Sequence, residues 1–179
     1  ADLICSALAD AGVPPSAMVR VQDPRRRPAE VKEDVLRFCL LHEETACFRL
    51  PGAADLGGVQ VVVASCLSAA LLEPSPMAGP APGQAPPPWA PDYVLIDEAG
   101  QATVPEALIP ITLAPLPCPS AVVLCGDPYQ LGPVVKSAAA RSAGLAASML
   151  EAVMWAAEAS AAAGGGGANG RAPHPGGRA

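Results

Sequence analysis

Two short stretches hold the residues best able to do chemistry together. "YVLIDEAGQA" (93–102) sets Asp97 and Glu98 directly behind four apolar residues, and "LCGDPYQLGPVV" (124–135) repeats that layout with Gly126, Asp127 and Gln130. Of two adjacent carboxylates, the first can hold Mg²⁺ through water and the second can orient or deprotonate an attacking water. Gln130 offers an uncharged amide with both donor and acceptor, suited to a terminal phosphate or to the water that attacks it. Gly126 lets the backbone turn sharply after a buried strand. Each stretch also has a plainer reading. Asp97 and Glu98 could simply favour the N-terminus of the next helix, and Asp127, Pro128 and Gly132 could simply shape a loop. The two in order, each behind an apolar strand, favour chemistry.

The positioning elements follow from pattern. "MVRV" reads as a short strand. "VQVVVAS" (59–65), "YVLID" and "AVVLC" are apolar on both faces, the pattern of parallel strands covered on each side. Thr103 and Glu106 have capping-box spacing, with Pro105 tolerated in the first turn, so a helix starts immediately behind the acidic strand end. Strand, acidic turn, helix and strand make a βαβ unit, and the fold class is α/β with a parallel sheet and flanking helices. In such sheets ligands bind beyond the carboxyl ends of the strands, where Asp97, Glu98 and Asp127 would project. A strand-terminal Asp followed by Glu is the Walker B arrangement of nucleotide hydrolases.

Upstream, Leu3, Ile4 and Leu8 share a helical face that Gly12 is placed to end, and Pro28 opens a helix with Val31, Val35, Phe38 and Cys39 at helical spacing. Leu145, Met149 and Val153 outline another apolar helix face. The proline-rich stretch 73–91 reads as an exposed insertion without chemistry, and 159–179 as a low-complexity, disordered tail.

Composition bounds these readings. The 179 residues are 51% hydrophobic but only 3% aromatic, so the core of one domain, or part of one, must be built from Ala, Val and Leu. With 17 Gly and 22 Pro, much of the chain is loop. The net charge of −6 argues against a bulk electrostatic footprint for nucleic acid, leaving only local or shared contacts. Six cysteines without a CxxC, mostly in apolar runs, fit a reducing, intracellular compartment. No signal peptide or membrane span is expected.

"LIDEAGQATVPEALIPI" followed by "VVLCGDPYQLGPVVKSAAARSAGLAASMLEAV" resembles motifs II and III of the superfamily 1B helicases, the group with the nonsense-mediated-decay helicase and the Armitage-like RNA-silencing helicases. The resemblance runs from Tyr93 to about Met154. "ADLICSAL" is similar to the end of motif Ia, and "VVVASCLSAALL" to motifs Ib and Ic, with Ser65 where the family commonly has Thr. It implies a RecA-like ATPase domain that couples ATP turnover to movement on single-stranded RNA, or on DNA, in the cytoplasm with ribonucleoprotein partners. On this resemblance Asp97 is the Mg²⁺ carboxylate, Glu98 the catalytic base, Gln130 the γ-phosphate sensor, Gly126 and Asp127 part of the motif III coupling loop, and Ser65 an RNA contact.

The departures matter as much. No GxxxxGK[ST] phosphate loop occurs in the 179 residues, nor a second RecA-like domain with its arginine finger. The chain thus resembles the second half of a first motor domain, expected to hydrolyse ATP poorly alone and to expose sheet edges and apolar surface. A non-catalytic helicase-like module that binds RNA or a protein is the rival reading. Arg20, Arg25, Arg26 and Arg27 form the one basic cluster, read as a solvated turn because no aromatics interleave. Cys39, His42 and Cys47 match no common zinc spacing.

Overall fold

The structure, a computed structural model, describes residues 1–72, 89–114 and 121–164. Most of the proline-rich stretch, Cys118 and the tail from residue 165 lie outside the described residues. The chain divides into two compact units: Ala1–Asp92 with Thr112–Ser120, and Tyr93–Ile111 with Ala121–Ala179.

In the first unit, α1 (Asp2–Asp10) is followed by β1 (Met18–Arg20), a 3₁₀ turn at Pro28–Glu30, α2 (Glu33–Leu36), α3 (Ala53–Leu56), β2 (Val61–Val63) and α4 (Cys66–Ala69). Strands β1 and β2 pair in parallel, Met18 beside Val61 and Arg20 beside Val63. Gly12 ends α1 as the sequence suggests, at a positive φ of 94° that favours glycine. The face that α1 buries is shifted from the expected one: Leu8 packs against the core, but Leu3 is 77% exposed and Cys5 is fully buried against Met18, Val31, Val35, Phe38, Phe48 and Val63. Asp2 explains the rotation. Its carboxylate takes Nε and Nη2 of buried Arg20 at 2.8 and 2.7 Å and Nη1 of Arg26 at 2.9 Å, so the polar anchor and Cys5 share the inward side. Burial pushes the Asp2 carboxyl up, but hydrogen bonds from the two guanidiniums outweigh it and hold the group below the usual carboxylate range.

The single helix expected from Pro28 is broken instead. Val31 and Lys32 are extended (ψ 137° and 145°), which separates the 3₁₀ turn from α2. Val31, Val35 and Phe38 are nonetheless buried, so the apolar spacing was read correctly and the continuity was not.

The second unit contains β3 (Tyr93–Ile96), α5 (Val104–Ile111), β4 (Ala121–Leu124), α6 (Ala138–Ser142) and α7 (Met149–Gly164). Strands β3 and β4 run parallel in register from Tyr93 beside Ala121 to Ile96 beside Leu124. The described strands thus form two two-stranded parallel sheets rather than one continuous sheet. With no third strand or covering layer on one side among the described residues, β3 alternates instead of being buried on both faces: Val94 and Ile96 are buried, Tyr93 and Leu95 are 67% and 70% exposed.

Two capping boxes start α5 and α7. Thr103 N–H and Oγ1 donate to Glu106 at 2.9 and 2.8 Å, and Ser148 N–H and Oγ donate to Glu151 at 3.0 and 3.1 Å. A β-bridge joins Thr103 to Ser148, and Met149 N–H donates to the Ala102 carbonyl, so α5 and α7 begin side by side. Residues 159–164, expected in the disordered tail, continue α7, because their run of alanines has the highest helix propensity. Among the described residues no helix is long and apolar enough to cross a membrane.

Candidate nucleotide site at two strand ends

The parallel register brings the two chemically loaded stretches together at the carboxyl ends of β3 and β4. The ladder continues one step past the strands: Cys125 N–H donates to the Ile96 carbonyl and Ala99 N–H to the Cys125 carbonyl, each at 2.8 Å. Asp97, Glu98, Gly126, Asp127 and Gln130 are all exposed beyond that last step. Glu98 adopts φ 55°, a left-handed conformation uncommon for a long side chain, and its carbonyl accepts from Gln101 N–H at 2.9 Å. Strained residues of this kind cluster at functional sites.

Two glycines let the turns touch backbone to backbone. Gly126 has φ 152°, and a Cβ there would lie 3.1 Å from the Ala99 nitrogen and 3.2 Å from the Gly100 nitrogen. A Cβ on Gly100 would lie 2.9 Å from the Asp127 carbonyl oxygen, closer than a real methyl tolerates. The need for Gly126 was legible in the sequence, whereas that for Gly100 was not. The second capping box was missed too, although its signal, Ser148 three residues before Glu151, stands in the sequence.

The loop after β4 is organised by Asp127. One carboxylate oxygen accepts Tyr129 N–H at 2.8 Å and the other accepts Gln130 Nε2 at 3.3 Å. Across the turn, Gln101 Nε2 lies 3.4 Å from the Glu98 carboxylate. Among the described residues no side chain pairs with Asp97. An exposed, uncommitted carboxylate fits Mg²⁺, which keeps most of its waters and takes one or two carboxylates together with phosphate oxygens. No three His, Cys, Asp or Glu side chains converge among the described residues.

Ser65 lies in the other unit. It is the N-cap of α4, where its Oγ accepts Ser68 N–H at 3.0 Å and donates to Ser68 Oγ at 2.8 Å. The arginines do not act as one basic patch: Arg20 is buried on Asp2, Arg26 shares that carboxylate, Arg25 pairs with Asp23 at 2.7 Å and Arg27 with Glu30 at 3.4 Å. Burial pushes the Cys39 thiol up to about 11 and raises that of Cys5, which disfavours the reactive thiolate in both.

A family profile described as "AAA domain" matches residues 56–138, which include both acidic turns. The mouse (Mus musculus) RNA helicase Mov10l1 is 36% identical over 158 residues, covering 86% of this chain and 12% of the relative. The chicken (Gallus gallus) putative helicase MOV-10 is 30% identical over 161 residues, again 86% of the chain and 16% of the relative. An Arabidopsis thaliana homolog of regulator of nonsense transcripts 1 is 53% identical over 58 residues, 32% of this chain.

The chain belongs to the superfamily 1 helicases of the nonsense-mediated-decay and Armitage-like group. It spans only 12% and 16% of the length of the mouse and chicken helicases it matches. The helices and parallel strand pairs of this helicase chain are those of a partial RecA-like P-loop NTPase domain.

Proposed function

We propose that the chain is the part of an ATP-dependent RNA helicase that carries the Walker B and motif III turns, and that it couples ATP hydrolysis to movement along RNA. The observation that carries this reading is the backbone contact between the Asp97–Gly100 turn and the Gly126–Gln130 turn at two parallel strand ends, in a chain similar to RNA helicases.

Asp97 is the carboxylate for Mg²⁺, which when bound with nucleotide would neutralise charge on the phosphate oxygens. Glu98 takes the proton of the attacking water from a left-handed backbone position just past the strand end. Gln130 senses the terminal phosphate region through its amide, and the contact of Gly126 and Asp127 with the Glu98 turn transmits a change in one loop to the other. Ser65 is an RNA contact at the end of β2, its hydroxyl and the first turn of α4 presenting polar groups there.

Because the 179 residues contain no GxxxxGK[ST], the cradle for the β and γ phosphates must come from sequence outside them, as must a second RecA-like domain. The chain by itself should turn over ATP poorly. We extend the reading to RNA as the substrate on the strength of relatives named as RNA helicases, and, from the motif resemblance and the cysteine pattern of the sequence alone, to a cytoplasmic protein acting on single strands within ribonucleoprotein particles.

The test is RNA-stimulated ATPase activity of this chain beside the full open reading frame that carries it. Turnover by the longer protein alone supports the motor; no turnover by either, with both folded, turns the assignment to a non-catalytic binding module.

A further inference from the structure

We infer that Asp127 is a positioning residue that fixes which end of the Gln130 amide faces the reaction. The inference rests on the reading of these turns as a site of ATP hydrolysis. A carboxylate is acceptor-only, so the amide end it meets must be the nitrogen. Asp127 meets Gln130 Nε2 at 3.3 Å, which directs Gln130 Oε1 away from it. The same carboxylate is anchored at its other oxygen by Tyr129 N–H at 2.8 Å, and Gln130 N–H donates to the Asp127 carbonyl at 3.3 Å, so side chain and backbone hold the pair in one short turn. That turn is itself seated against the acidic turn, since the Asp127 carbonyl oxygen occupies the space a Cβ on Gly100 would need.

The chemical consequence is specific. An amide presenting oxygen accepts a hydrogen bond from water and so reaches the terminal phosphate region through that water rather than by direct contact with an anionic oxygen. Gln130 therefore orients the attacking water, while Glu98, across the contact between the turns, takes a proton from it. On this inference Asp127 acts on neither the nucleotide nor the attacking water directly. It acts through Gln130.

The test uses the full-length protein with three variants, Gln130→Ala, Asp127→Asn and the double. Asp127→Asn keeps an oxygen for Tyr129 N–H but offers an amino group to Gln130, which reverses the amide. Turnover should fall about ten- to hundred-fold, the range for a misplaced reacting group, with KM for ATP within about three-fold of the wild type. The double variant should turn over no more slowly than Gln130→Ala. Asp127→Ser, which preserves a hydroxyl for the turn but cannot span both partners, guards against a folding defect and should show the same kcat loss.

Turnover of Asp127→Asn within two-fold of the wild type, or losses that multiply in the double variant, would overturn the inference while leaving the hydrolysis reading intact. If Gln130→Ala itself leaves turnover unchanged, or the wild type shows none, the reading of the site fails and the inference falls with it.

Discussion

At the scale of single residues, the site is built from backbone demands that only glycine or strain can meet. Gly126 sits at φ 152°, which L side chains rarely adopt, and a methyl there would press tightly on the Ala99 and Gly100 nitrogens. Gly126→Ala should destabilise the protein by about 1–3 kcal/mol, the cost of a side chain held in a sparsely populated region, read as a lowered denaturation midpoint. Gly100→Ala should part the two turns, because the obstacle is the Asp127 carbonyl and not a flexible side chain. The expected outcome is loss of RNA-stimulated ATPase in the full-length protein with a smaller change in stability, and unaltered turnover would show that the contact between turns does not matter for hydrolysis. The sequence made Gly126 legible because a glycine before an aspartate and proline announces a turn. Gly100 was not legible, since nothing local tells that another backbone will approach it. The left-handed Glu98 is illegible for the same reason: glutamate has no preference for that conformation, and only the surrounding turn imposes it.

At the scale of elements, caps and ion pairs decide where helices begin and which faces they bury. Ser148 is fully buried, and its hydroxyl both accepts Glu151 N–H and donates to Glu151. Ser148→Ala should cost about 1 kcal/mol, seen as reduced thermal stability, with the loss felt at α5 too because Thr103 bridges to Ser148. In the first unit Asp55 is held by Arg49 through two 2.7 Å contacts and by Gly52 N–H at 2.8 Å. Hydrogen bonds from the Arg49 guanidinium, then from the Gly52 amide, lower its carboxyl to about 2 from the ordinary 3.8. A carboxylate depressed by folding contributes stability that is complete above the unfolded value and is lost as pH falls through the folded one. Acid titration should therefore weaken this unit between about pH 4 and pH 2, and Asp55→Asn should flatten that part of the curve. The Thr103–Glu106 box was readable from spacing alone. The inward face of α1 was legible only at Leu8, because the pairing of Asp2 with Arg20 is a long-range contact that accompanies the exposure of Leu3 and Ile4.

At the scale of the whole molecule, the parallel α/β class and the strand-end location of the acidic residues were legible, because βαβ spacing and apolar runs are local patterns. The division into two strand pairs was not, since the covering of a sheet face depends on which other elements are present. In parallel register Leu95 lies beside Val123 and Tyr93 beside Ala121 on one face, with Leu95 70% and Val123 41% exposed. An apolar sheet face with unpaired edges favours association. The isolated chain should show concentration-dependent light scattering, and Leu95→Lys should reduce it while preserving the circular dichroism spectrum; an unchanged scattering curve would mean that this face is not the sticky one. The proposal that the paired turns form the water-activating part of an ATP site is tested by RNA-stimulated ATP hydrolysis of the full-length protein beside its Glu98→Gln variant, with nucleotide binding followed in both. With Glu98 as the proposed base, its removal with the shape retained should lower turnover by about 10²-fold or more and leave binding nearly intact. Equal turnover in the two proteins would contradict the account.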